Sequence, residues 1–273
     1  METYRRAFQE LKNIYEREFP DDPPLEINSW RLDFELNPVK IIRQIWPESE
    51  VFGCNFHFGQ AIIKNWKLKC SCEAIYYDKK LIFDVRHVVK GMAFAPFAVA
   101  ERALQDLQQV VIPSIEDGTV QTKMSDFVSY VENQWFKKRD IQADWNLHNL
   151  LVRGNTFFTS NQCESLHSAL NRFYKTPPST IRAASLTLND YKKDFLMKFS
   201  NQFFNPRRAD TMEKAELVLF HHHQIMAQPP EWRLENAMDI CRQFTLYFAP
   251  ILSPYPFSSS FDCYEPSSDF INL

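Results

Sequence analysis

Three short stretches of the chain carry side chains of the kinds that do chemistry: Asp33-Phe34-Glu35, Cys54-Asn55-Phe56-His57-Phe58-Gly59-Gln60, and Asn161-Gln162-Cys163-Glu164-Ser165-Leu166-His167. Carboxylates such as Asp33 and Glu164 suit oxygen-seeking divalent cations. A Cys-x-x-His pair supplies two of the four ligands of a tetrahedral zinc ion. Asp33 and Glu164 lie far apart along the chain, so only the fold can make them neighbours. Their convergence is the central expectation.

Each residue also has a plainer reading. Asp33 suits a surface position at a strand end, Glu164 suits a solvated helix face, and His167 serves polar packing as readily as support beside Glu164. Zinc is not expected at Cys54 and His57. A strand would send the two side chains to different faces, and two further ligands would be needed, with Cys70-Ser71-Cys72 the nearest source. On that reading Cys54 packs inside while His57 orients a carboxylate or phosphate. His221-His222-His223 cannot chelate one ion, since consecutive helical residues point about 100° apart, and a solvated face is expected there. A Cys-His hydrolase built on Cys54 or Cys163 lacks a Gly-rich elbow and any orienting acid implied by spacing.

The elements that must position these groups are read from apolar spacing. Phe8, Leu11 and Tyr15 predict an amphipathic helix over Thr3–Phe19, ended by Pro20-Asp21-Asp22-Pro23-Pro24. A strand is expected over Glu26–Asp33. Next comes a helix entered at Asn37-Pro38 and ended by Pro47, with Asn37 as its cap. Val51–Phe56 predicts a second strand. The helix after it, over 61–69, turns Ile62 and Trp66 inward and Lys64 and Lys67 outward. From Asp78 helices take over: Val99, Ala103, Leu107 and Val110 make one apolar face, and Phe127, Val131 and Trp135 another. Cys163, Leu166, Leu170 and Phe173 predict a helix over Asn161–Tyr174 whose second stripe holds Glu164, His167 and Asn171. Further helices are expected over Ala184–Phe199, Met212–Met226 and Leu234–Phe248, then a mobile Pro- and Ser-rich tail from Pro250.

Composition excludes several classes. Only 5 Gly among 273 residues leave little for phosphate-cradling loops, and no Lys-Ser/Thr comes after Gly53 and Gly59, so no P-loop exists. A net charge of −3 rules out a polycation that coats nucleic acid unaided. Basic residues are nevertheless locally enriched: seven Lys/Arg face three Asp/Glu over Gln60–Lys90, and six face two over Asn171–Lys198. With Trp66, Tyr76, Tyr77 and Phe173 interleaved, these segments could contact DNA or be solvated helix faces. Six irregularly spaced Cys, no leader at Met1 to Phe8 and no apolar run of membrane-spanning length predict a reducing interior, with thiols free or metal-bound.

The order of these pieces resembles the second half of the catalytic domain of Mutator-like element (MULE) transposases. The matching residues are Asp33-Phe34-Glu35, the Pro47 helix stop, Cys54 and His57 with Gln60 three residues on, Trp145-Asn146, and Thr159-Ser160-Asn161-Gln162-Cys163-Glu164-Ser165-Leu166-His167. The likeness covers roughly residues 1 to 175 and departs from the family pattern in places. Nothing before Asp33 resembles the family's first aspartate, Phe158 stands where an Arg is usual, Ser160 replaces the first Asn, and Leu32 replaces a Thr.

The resemblance implies a helix-rich α/β fold: a truncated RNase H-like core with a large all-helical insertion and C-terminal helices. Residues 1–75 would form the partial core, 76–158 the insertion, 159–249 the acidic-residue helix and the C-terminal helices, and 250–273 the tail. It implies a DNA-binding or strand-transfer domain of a DNA transposase, with Asp33 and Glu164 as catalytic metal ligands, supported by Cys54, His57 and His167. Lys64, Lys67 and Arg172 would contact DNA. The cofactor implied is Mg²⁺ or Mn²⁺, bound weakly because one carboxylate is missing. Partners would be DNA and a second copy or another chain covering the open sheet edge, with no membrane, in the nucleus or alternatively the cytoplasm. The competing reading is a non-enzymatic nuclear interaction or DNA-binding protein.

Overall fold

In the computed structural model, residues 2–70, 75, 78–138, 143–154 and 207–252 are described. They form a helix-rich α/β structure around a two-stranded parallel sheet. The helices expected over Asn161–Tyr174 and Ala184–Phe199, and the tail, fall outside the described residues, apart from a last helix reaching Leu252.

The N-terminal helix α1 (Glu2–Glu18) is amphipathic as expected but buries no residue fully. It rests on the sheet region through Phe8, whose ring lies 5.2 Å from Trp30 and 6.1 Å from Trp46. Strand β1 (Ser29–Leu32) is shorter than the expected span. Helix α2 (Leu36–Ile45) returns the chain to strand β2 (Glu50–Gly53). The cap of α2 is Glu35, without a side-chain bond, and not Asn37. Pro38 still lies in the first turn, where a missing N–H removes no helical bond.

The ladder pairs Ser29 with Glu50 through Leu32 with Gly53. Parallel strands need a crossover, and α2 is that crossover. The other edge of β2 carries an isolated parallel bridge to Asp144, with Asp144 N donating to Val51 O at 2.7 Å and Gly53 N to Asp144 O at 2.8 Å. Beside it, Asn146 Nδ2 donates to Met92 O and Ala95 O at 3.1 and 2.9 Å, and Trp145 Nε1 donates to Trp135 O at 2.7 Å. Trp145-Asn146 thus ties the helical region to the sheet.

The expected strand Val51–Phe56 is corrected. Strand pairing stops at Gly53, and helix α3 (Asn55–Cys70) begins two residues later. Phe58, Ile62, Trp66 and Cys70 recur every fourth residue and are all buried, so a helix seals that stripe where an extended chain would scatter it. Lys64 and Lys67 face outward, as expected.

Three helical stretches come next: α4 (residues 79–91), α5 (97–111) and α6 (118–136), each containing a π-helical segment. The segment over Leu107–Val111, closed by Ile112 N bonding Leu107 O at 3.0 Å, rotates the register. Val99, Ala103 and Leu107 are buried as expected, but Val110 is turned out to solvent and Ile112 is buried instead. Phe127, Val131 and Trp135 form the second expected face. Trp66, weighed above as a DNA contact, is fully buried 5.1 Å from Phe127.

Beyond the short helix α7 (His148–Val152), the described chain resumes with α8 (Arg207–Met226), α9 (Pro230–Glu235) and α10 (Ala237–Leu252). Helix α10 packs on the end of α4, where a Cβ on Gly91 would stand 1.7 Å from Cys241 O. Only a glycine permits that approach. Among the described residues no helix is long and apolar enough to cross a membrane.

Candidate functional site

The strand register builds the site. With Leu32 paired to Gly53, and Cys54 N donating to Leu32 O at 2.8 Å, the next step along both strands sets Asp33 beside Cys54. Helix α3 then starts, Phe58 N donating to Cys54 O at 3.0 Å. His57, three residues after Cys54, comes round on the same side of the first turn. Asp33, Cys54 and His57 therefore converge, each offering a ligand atom within 4.8 Å of the others.

This overturns the reason for discounting Cys54 and His57 together. They do not share a strand and do not point to opposite faces; the strand-to-helix break between them brings them together. His57 Nδ1 lies 2.8 Å from Asp33 Oδ1, an approach close enough for an ion pair. Nδ1 is nonetheless enclosed and makes no hydrogen bond, so the contact is one of proximity without hydrogen-bond alignment.

The neighbours of the three ligands hold them in place. Phe34, after Asp33, packs edge-on against Trp135 at 4.9 Å, and Phe58, after His57, does the same at 4.8 Å. Phe58 also stacks on Trp145 at 5.4 Å. Two ligand backbones are thus anchored in one aromatic cluster. Gly53 completes the fit, since a Cβ there would come within 2.2 Å of the Phe34 ring. Glu35 is outside the group and accepts a hydrogen bond from Tyr4 at 2.9 Å.

Burial grades across the cluster. Cys54 is fully buried, the His57 side chain is 38% exposed and the Asp33 side chain 51%. Arg31 shares the sheet face of Asp33, two residues on, and couples electrostatically to Cys54; burial holds its guanidinium down to about 10. Arg31 gave no signal in the sequence beyond its two-residue spacing from Asp33.

Lys64 and Lys67 lie on the outer face of the same helix, exposed. Lys90, counted in the same basic segment, is instead held down to about 8 by burial and then by Arg86. Glu164, His167 and Arg172 fall outside the described residues.

A second polar cluster corrects the expectation for His221-His222-His223. His222 is buried at 1% exposure, its Nε2 3.0 Å from His148 Nδ1. Burial is the main cause holding both rings down to about 4. His223 is exposed and His221 half-buried, so the triplet does not converge. The inward turn of His222 was illegible because its partner lies 74 residues away.

Compared with known protein families, with curated proteins and with solved structures, the chain matches none.

Proposed function

We propose that the chain is a transposase-derived DNA-binding or strand-transfer domain with a truncated RNase H-like core and impaired chemistry. The supporting observation is the parallel β1–α2–β2 unit, which delivers Asp33 to the carboxyl ends of its strands, where open α/β sheets bind their ligands. Lys64 and Lys67 on the helix leaving that end supply phosphate attraction. In this reading Glu164 is the second acidic residue, His167 its support and Arg172 a further phosphate contact. The protein acts in the nucleus, alone or with a second copy.

The Mg²⁺ or Mn²⁺ that the resemblance implies is poorly matched by the donors present. Two-metal phosphoryl transfer relies on several carboxylate oxygens. The described cluster offers one carboxylate, one thiol and one imidazole. No cleavage step is assigned to it.

The test is fluorescence anisotropy of the full chain on a labelled duplex at rising salt. Binding should weaken linearly in log–log form, and replacing Lys64 and Lys67 together by Ala should reduce the slope by about 2. Absent binding, or binding indifferent to salt, contradicts the proposal. With supercoiled DNA and Mg²⁺ or Mn²⁺, nicking should not exceed that of the Asp33→Ala, Glu164→Ala double variant. Strong nicking that this variant abolishes would contradict the impaired reading alone.

A further inference from the structure

We propose that Asp33, Cys54 and His57 form a three-ligand site for a borderline transition metal, Zn²⁺ above all, at the carboxyl end of the two strands. Donors bound at about 2.0–2.3 Å to one ion are at most about 4.6 Å apart. The three donor atoms here lie within 4.8 Å of one another, so small side-chain rotations close them on an ion.

The His57 to Asp33 contact points the same way. His57 Nδ1 lies 2.8 Å from Asp33 Oδ1, so two of the three donors already stand on one side of the site, as a common ion requires.

The donor set selects the metal. Thiolate and imidazole favour Zn²⁺ and its neighbours, whereas Mg²⁺ takes oxygen ligands almost alone. One thiolate and one carboxylate balance the two positive charges, with the imidazole neutral. Three protein ligands leave a tetrahedral ion one position for water or an outside donor, the arrangement of catalytic rather than structural zinc sites.

The same three residue types also make a nucleophilic Cys-His-Asp set. Burial decides against it, because the sulfur of Cys54 is sealed from any substrate. An ion needs only a path past the exposed Asp33 carboxylate, and that side is open.

The site uses the Asp33 on which the DNA-handling proposal rests, but metal uptake is measured without DNA. Either proposal can therefore fail alone. The experiment strips the full chain of metal with a chelator and titrates it with Co²⁺, with Zn²⁺ displacement afterwards. One Co²⁺ per chain is expected, with a thiolate-to-cobalt charge-transfer band that Zn²⁺ bleaches and excess Mg²⁺ does not. Cys54→Ser should abolish the band. His57→Ala and Asp33→Asn should weaken binding about ten-fold or more. Asp33 is exposed, so Asp33→Asn will fold even if Cys54→Ser does not. Failure of a chain with an intact helical circular-dichroism spectrum to take up metal would overturn the proposal. So would uptake without the band, or uptake that Asp33→Asn and His57→Ala leave unchanged.

Discussion

Two clusters bring histidine to a polar partner, at opposite extremes of solvent access. At the end of the sheet, His57 meets Asp33 and Cys54 with two of the three side chains open to water. Between α7 and α8, His222 meets His148 with His222 sealed beneath Phe244. The first gathers a carboxylate, a thiol and an imidazole that a cation would satisfy. The second gathers two buried rings that share one nitrogen-to-nitrogen hydrogen bond, one ring donating and the other accepting. Access and donor variety, more than the presence of histidine, separate a site from a piece of core.

Substitutions should therefore damage the sealed region's stability and the open region's binding. Gly91→Ala, in the core where α4 meets α10, should have the largest effect. Its Cβ would overlap the Cys241 carbonyl, forcing α4 and α10 apart at about 3 kcal/mol or more in urea unfolding. Loss of less than about 1 kcal/mol would mean the helices are not so close.

Acid should come next. His87, His148 and His222 are each held down to about 4, with burial the largest cause in all three. Arg86 and Lys90 add to it at His87, Arg233 at His148, and His148 and His223 at His222. The unfolded chain, with histidines titrating near 6.5, binds more protons than the folded one between the two values. The stabilisation is complete above about 6.5 and is lost as pH falls towards about 4. The unfolding free energy from urea titrations should fall across that window by on the order of several kcal/mol, and a flat profile would show these rings to be hydrated.

His222→Ala should cost about 2 kcal/mol through its cavity and the unpaired His148. His57→Ala in metal-free protein should cost under about 1 kcal/mol, since its ring is partly exposed. Equal losses would erase the distinction between the clusters. Gly53→Ala sharpens it further. Displacing Phe34 should lower Co²⁺ affinity several-fold by moving Asp33, beyond its stability cost of about 1–3 kcal/mol.

Much of the frame is legible in the sequence. The α1 helix, the Pro47 stop, the outward Lys64 and Lys67, and the buried Phe127-Val131-Trp135 stripe all arise from local spacing, and the structure has them, although Leu11 of the expected α1 face is exposed. The misreadings share a cause. Local pattern puts Cys54 and His57 on one strand, whereas the end of β2 is decided by pairing with β1 and Asp144, which is not local information. Apolar period puts Val110 inward, because it cannot reveal a π-helical segment. It leaves His222 outward, because the partner that draws the ring inside lies on another helix. Of the site itself, Asp33 at the mouth of a helix and the Cys-x-x-His spacing are legible. Their convergence depends on strand register.

The most direct test is zinc-edge X-ray absorption on the zinc-loaded full chain. One sulfur at about 2.3 Å, with nitrogen and oxygen donors at about 2.0–2.2 Å, is the coordination expected around the ion. A zinc ion without sulfur, or with two or more, would contradict a site built from Asp33, Cys54 and His57.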